Sequence, residues 1–246
     1  PVRTDTKTKL VCWYADLQQE YYPEFFTRRR IIERRARIRF MLRNSNDLVA
    51  SSQVVADDFA KFFNIKDSMK IHIFHFASVL DDFTNISFDD LQIKYKVPSK
   101  YFMVSNQFHP HKNHKVLLEA MVIMKAKGIV LNYVFTGRFA NATHSPFLKE
   151  ILQIVEDNSL QSQVNFLGVI PRVDQLLLMK HSQAVLQPTL FEGWSTVIED
   201  AISLQVPVVA SNIPVNIEQL GKDGVYFNPR NPSDLAEILF DFPKRN

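Results

Sequence analysis

Glycine is scarce in this chain and confined to its second half: six occur in 246 residues, and none precedes Gly128. Glycine lets a backbone turn tightly against a phosphate, so the front of the chain holds no Gly-rich phosphate loop. Cysteine is rarer still. The single Cys12 excludes an intramolecular disulfide and fits a reducing compartment. No apolar run reaches the roughly 18 residues that cross a bilayer as a helix, and no signal-peptide pattern opens the sequence. An excess of one charge is also missing. Lys and Arg number 29 against 26 Asp and Glu, a net +3, too weak a field to argue for a nucleic-acid partner. The 46% of hydrophobic residues can bury one large core or two smaller ones. A cytoplasmic globular protein is expected.

Pro1-Val2-Arg3 leads almost at once into an apolar run, as expected of a chain that starts within a fold. Leu10 to Tyr14, Asp47 to Ser52 and Ile71 to Phe76 have strand composition. Glu24 to Arg43, without Gly or Pro, and Val54 to Phe63 are predicted helices. The polar stretch Asp81 to Asn85 reads as a linker, dividing the chain into residues 1–85 and 86–246. After it the alternation is regular. Strand-like runs at Tyr101–Ser105, Leu131–Phe135, Val164–Leu167, Ala184–Leu186, Val206–Ala210 and Val225–Phe227 alternate with helical stretches. Those helices are predicted at Lys115–Lys127, Phe147–Asp157, Val173–His181, Thr196–Leu204 and Asp234–Leu239. The pattern predicts an α/β fold with a doubly wound parallel sheet. Gly137, Gly168 and Gly193 each follow a strand-like run, where ligands collect in such sheets.

Two segments combine a strand, a loop and a helix start. In Gln187–Ala201 the helix opens with Ser195 and Thr196, both good first-turn residues, and free N–H groups there suit an anion such as a diphosphate. Projection at 100° per residue puts Val197, Ile198, Ala201, Ile202 and Leu204 on a buried face, with Asp200 beside it on the edge of Thr196. Glu199 turns away, towards solvent. Spacing leaves two readings level, a capped core helix or a ligand mouth watched by Glu192 and Asp200. In Val104–Lys115, Lys112 offers a positive charge to a phosphate. His109, His111 and His114 match no closed zinc pattern and read as exposed loop histidines.

Together, Phe191-Glu-Gly-Trp-Ser-Thr-Val-Ile-Glu-Asp-Ala201, Pro207-Val-Val-Ala-Ser211 and Val104-Ser-Asn-Gln-Phe108 with His111-Lys-Asn-His114 resemble the retaining GT-B glycosyltransferases of the group-1 family, in the branch that builds O-antigens and other bacterial surface glycans. The resemblance implies a C-terminal Rossmann-like domain and a partial N-terminal one, whose first half, like the usual final crossing helix, is expected to be missing. It implies transfer of a sugar from a UDP- or GDP-sugar to a glycan or lipid-linked acceptor with retention, without cofactor or metal. Family spacing from Glu192, to a second acid eight positions on, falls on Asp200, where relatives usually have Glu. The resemblance gives Glu192 the donor-sugar hydroxyls, Asp200 the ribose, and Lys112 the charge of the leaving diphosphate. The diphosphate would lie on the N–H groups of Gly193, Trp194 and Ser195 beside Thr196, and the base near Gly168 and Val169. Asn106 stands where many relatives have Arg, so one cation is missing; Gln107, Arg138 or a residue absent from this chain are the candidate replacements.

On the acceptor side, Trp13–Phe26 is similar to a segment that approaches the reacting sugar in relatives, with Asp16 and Gln18 as polar candidates and Ala15 where some carry His. Between Arg28 and Arg43 lie eight arginines against Glu33 alone. They form a solvated face, or a surface for anionic lipid at the inner face of the cytoplasmic membrane. Two rival functions stay open: sugar-nucleotide epimerisation by a related GT-B enzyme, and nucleotide-sugar binding without turnover.

Overall fold

The computed structural model describes residues 9–139 and 145–242; the opening Pro1–Arg3 lies outside them. The chain divides into two compact units, residues 1–76 with 192–194, and residues 77–191 with 195–246. The polar stretch at Asp81–Asn85 therefore falls within the second unit.

The first unit runs β1 (Val11–Trp13), α1 (Gln18–Tyr21), a 3-10 turn (Pro23–Phe25), α2 (Arg28–Asn44), β2 (Asp47–Ala50), α3 (Gln53–Phe62) and β3 (Lys70–Ile73). Its strands form a parallel sheet in the order β1-β2-β3, over a core that includes Leu17, Ile38, Leu48 and Phe59. The helix expected from Glu24 is broken. Thr27 is extended, with φ −70° and ψ 150°, and its side chain accepts the Arg30 N–H, so α2 begins at Arg28. Ser52 caps α3 likewise, by accepting the Val55 N–H.

The second unit runs α4 (Phe88–Tyr95), β4 (Phe102–Ser105), a 3-10 turn (Pro110–Lys112), α5 (His114–Ala126), β5 (Tyr133–Thr136), α6 (Pro146–Asp157), β6 (Val164–Gly168), α7 (Arg172–Lys180), β7 (Val185–Gln187), α8 (Thr196–Ser203), β8 (Val208–Ser211), α9 (Pro214–Leu220), β9 (Val225–Phe227) and α10 (Pro232–Asp241). The strand order is β6-β5-β4-β7-β8-β9, and every recorded pair is parallel. All four residues of β4 are buried, because helices cover both faces. One face packs Leu117 and Met121 of α5 with Ile151 of α6 and Leu235 of α10. The other packs Leu178 of α7 with Ile198 and Ala201 of α8 and Leu91 of α4.

The sequence left α4 and α9 unassigned. Both are short, α4 starting behind a Ser87 cap and α9 at Pro214. Within α8 one expectation is corrected. Ile202 is 46% exposed, because the buried arc turns from Ile198 through Ala201 and Val197 to Asp200 and leaves Ile202 beyond its far edge.

Strand order reverses between β4 and β7, and the crevice of such a sheet opens outside the carboxyl ends of those strands. Its shape depends on Gly137, at φ +132°, where an added Cβ would lie 2.2 Å from the Asn106 carbonyl oxygen. No L side chain fits. Gly128 also has positive φ, +74°, yet an added Cβ there meets nothing within 4 Å. Gly137→Ala is expected to cost about 2–3 kcal/mol and Gly128→Ala only about 1 kcal/mol. Denaturant unfolding of both variants reads the difference, and equal losses would contradict the close approach of Gly137 to Asn106.

Candidate functional site

A cleft of about 590 Å³ lies entirely within the second unit. Asn106, His109, His111 and Lys112 reach it from the segment after β4, and Gly137 and Arg138 from the end of β5. Val169, Ile170, Arg172 and Gln175 come from the end of β6 and α7, and Thr196, Val197 and Asp200 from the first turns of α8. Thus Asn106, Lys112, Val169, Thr196 and Asp200, five of the residues singled out in the sequence, meet in one space.

The floor is a chain of amides. Asn106 Nδ2 donates to Gln187 Oε1 at 2.8 Å, and Gln187 Nε2 donates to Ser195 Oγ at 3.0 Å. Ser195 Oγ in turn accepts the Ile198 N–H at 3.3 Å, a cap on α8. Asn106 is buried, and its Oδ1 has no hydrogen-bond partner among the described residues.

The expected diphosphate cradle is corrected at Ser195. Its N–H is already donated to Gln219 Oε1 at 3.1 Å, while Gln219 Nε2 donates to Glu199 Oε1 at 2.7 Å and to the Ser195 carbonyl at 2.9 Å. Glu199 therefore leaves the cleft as expected, but for Gln219 and not for open solvent. With α9 unassigned, nothing in the sequence pointed to Gln219. The first-turn N–H groups still without a partner among the described residues are those of Thr196 and Val197. Gly168 closes β6, where its carbonyl accepts the Gly137 N–H at 2.8 Å.

Asp200 is buried, as a residue flanking the core face should be, but its carboxylate is not open. Arg172 Nη1 donates to Oδ2 at 2.6 Å, Arg172 Nη2 donates to Oδ1, and so does Ser78 Oγ. The sequence missed Arg172 and Ser78. The helix was expected from Val173, whereas α7 begins at Arg172, a position where the dipole disfavours a cation without an acid nearby.

The histidines divide. His109 is exposed and stacks on His111 at 5.8 Å. His111 is half-buried, and burial, with Lys112 adding to it, pushes its imidazole down to about 3. His114 corrects the expectation of loop histidines outright. It is the first residue of α5, 0% exposed, stacked on Phe108 at 4.2 Å, with neither ring nitrogen in a hydrogen bond of good geometry. Burial drives it to about 3, with Lys112 adding to this and the approach of the Asn106 backbone opposing it. Among the described residues, no three His, Cys, Asp or Glu side chains gather as a metal site.

Glu192, Gly193 and Trp194 do not line this cleft; they belong to the first unit. A Cβ on Gly193 would lie 2.3 Å from the Ala15 carbonyl oxygen. Ser51 Oγ donates towards the Gly193 and Ala15 carbonyls at 3.2 and 3.3 Å. Trp194 Nε1 donates to the Phe76 carbonyl at 3.1 Å, and its ring stacks on His75. Asp16 Oδ1 accepts the Gln18 N–H at 3.1 Å and pairs with Arg34 at 3.3 Å, so Asp16 is already partnered within its own unit. On α2, Arg29 pairs with Glu33, Arg35 with Glu20, and Arg34 also lies over the Tyr14 and Phe26 rings. The arginine face is thus partly neutralised. No described helix is long and apolar enough to cross a membrane.

Residues 88–243 match the family Glycosyl transferases group 1, well over half of the chain, and the chain belongs to that family. The fold is α/β, of the GT-B type. The O-antigen chain mannosyltransferase RfbU of Salmonella typhimurium is 25% identical over 215 residues, covering 87% of this chain and 55% of that protein. A glycosyltransferase from Rickettsia africae superposes with a TM-score of 0.75 at 19% identity, covering 97% of this chain and 61% of that one. Anabaena HepE in complex with UDP-glucose gives 0.75 at 20% identity, covering 96% and 63%. The chain spans about half the length of its O-antigen relative and about three-fifths of each solved structure.

The buried imidazole has a consequence for stability. Its folded pKa lies below its unfolded value near 6.5, so its contribution is full above that value and is lost as pH falls towards 3. Between pH 7 and pH 5, His114 alone is expected to cost about 2 kcal/mol. His114→Phe, which keeps an aromatic stack on Phe108, should make that part of the stability–pH curve shallower, with the slope from His111 remaining. Unfolding at both pH values decides, and an unchanged slope in the variant would contradict the buried neutral histidine.

Proposed function

We propose that the second unit holds the nucleoside diphosphate of a sugar donor, and that the whole protein moves the sugar, with retention, to a glycan or lipid-linked acceptor in bacterial surface-polysaccharide assembly. One observation carries this reading: the cleft at the reversal of strand order collects Lys112, Arg138, the first turn of α8 and the Arg172–Asp200 pair. Family membership fits it, and UDP and UDP-glucose in the HepE structures illustrate the ligand class on the same fold. The donor is a UDP- or GDP-sugar. RfbU is a mannosyltransferase, which makes mannose the first sugar to test.

Departure of a nucleoside diphosphate leaves negative charge on its terminal phosphate, and preorganised cations and N–H dipoles stabilise it without metal. Lys112 takes that role, with the Thr196 and Val197 N–H groups beside it. Asn106 supplies no charge, and Arg138, exposed on the same cleft, supplies the second cation. The base lies along Gly168 and Val169, and the ribose on the edge of Asp200. Glu192 meets hydroxyls of the donor sugar. Asp16 and Gln18 remain candidates for the acceptor side, and the exposed arginines of α2 for an anionic membrane surface at the cytoplasmic face.

Calorimetric titration of UDP and GDP in excess chelator tests the core of this reading. Binding should persist, Lys112→Ala should weaken it about tenfold to a hundredfold, Arg138→Ala by a smaller factor, and His109→Ala hardly at all. Binding that vanishes with chelator and returns with magnesium or manganese would overturn the metal-free site. Product analysis by NMR then separates transfer with retention from epimerisation, which needs no acceptor, and from binding alone.

A further inference from the structure

We infer that the first unit holds an anion site of its own, lined by Arg39, Arg43 and Lys66, that takes the terminal phosphate of a membrane lipid; this deepens the membrane reading of α2 given above. A cavity of about 290 Å³ lies between the last turns of α2 and the end of α3, about half the volume of the cleft in the second unit. Helix α2 leads into β2 and α3 into β3, so the cavity sits at the amino ends of those strands. Substrates of such sheets collect at the carboxyl ends, which sets this cavity apart from the substrate side of its own unit. The charge is also local. Residues 1–76 hold 14 Lys and Arg against 9 Asp and Glu, so the net +3 of the whole chain arises here and the remainder is net negative.

The lining carries one sign. Arg39 and Arg43 lie one turn apart on α2 and Lys66 follows α3; all three are exposed, and no Asp or Glu lines the cavity. Neither guanidinium has an ion pair among the described residues. Glu20, whose carboxyl Arg35 holds below its ordinary value with a smaller pull from Arg39, is already spent on Arg35. Lys66 Nζ donates to the Arg43 carbonyl at 2.6 Å and reaches that of Ser45 at 3.5 Å. Those neutral partners fix the ammonium and leave its charge in place. A phosphomonoester brings up to about two negative charges and three open oxygens, one for each cation, and two arginine forks suit such oxygens. A phosphodiester brings half the charge and is covered by its second ester. The rest of the site favours a lipid over a free phosphate. Leu42 and Phe63, both buried, and half-buried Phe62 make its wall apolar. Ile32, 68% exposed, shares the edge of α2 that carries Arg39 and Arg43, and such a residue enters the acyl boundary of a bilayer.

The test is flotation of the full chain with phosphatidylcholine vesicles carrying either phosphatidic acid or phosphatidylserine, matched in surface charge. The wild type should prefer phosphatidic acid by about tenfold or more. Arg39→Gln with Arg43→Gln should abolish that preference. Arg30→Gln with Arg37→Gln removes the same charge from exposed positions on the opposite side of α2. This second pair should weaken binding to both lipids alike, by about fivefold per arginine, and keep the preference. Arg39→Lys with Arg43→Lys keeps the charge, and so guards against misfolding, yet should lose most of the preference with the forks. Equal binding of the two lipids by the wild type, or a preference that survives in the Arg39 and Arg43 variants, would overturn the site and leave only the diffuse attraction of α2. In a second arm, glycerol 3-phosphate and inorganic phosphate should displace the chain from phosphatidic acid only weakly at millimolar concentration. Displacement by either at micromolar concentration would assign the cavity to a free phosphate and overturn the lipid source. A chain that floats with neither lipid would overturn the membrane reading of α2 together with this inference.

Discussion

The backbone joins β4 to β7 through a single register pair, Met103 with Val185. Beyond it the strands part, and a side-chain hydrogen bond from Asn106 to Gln187 spans the gap. That bond is the constraint on which the cleft depends. Through Gln187 it reaches the cap of α8 at Ser195, and through the Asn106 carbonyl it leaves room at residue 137 for glycine alone. Three loops and a helix start are thereby held around one space. In a buried amide chain each link that is broken strands a polar group away from water, which explains why polar residues form the floor of an otherwise apolar domain.

The electrostatics of the cleft follow from the same packing. Three histidines border or underlie it, yet burial and Lys112 lower the pKa of each of them. Lys112 and Arg138 bring positive charge to the cleft, and Arg172 is paired with Asp200. A site arranged this way separates recognition of charge from recognition of shape and hydrogen-bonding pattern. Desolvation, usually costly for a cation, is limited at Arg138, which is exposed.

Much of this architecture was legible in the sequence. The β-branched runs located all six strands of the large sheet to within about two residues, because strands covered on both faces leave a continuous apolar signature, which persists in the half-buried edge strands β6 and β9. Glycine placement and the two helix starts pointed to the end of that sheet where the cleft opens. The losses have physical causes. Helices α4 and α9 are too short for a periodic signal, so Gln219, which occupies the Ser195 N–H, was invisible. The Arg172–Asp200 pair joins residues 28 apart, and spacing along one helix cannot reveal a partner on another. His114 misled because loop position was read as exposure, while the ring in fact packs on Phe108.

The central claim is that the nucleotide seat lies in the second unit, at the carboxyl ends of β4, β5 and β6 and the first turn of α8. Mapping backbone amide chemical shifts while UDP or GDP is added measures this most directly. The largest changes are expected at Gly137, Val169, Thr196 and Val197, with the first unit up to residue 76 nearly still. Changes confined to the first unit, or none at those four amides at saturating nucleotide, would contradict the account.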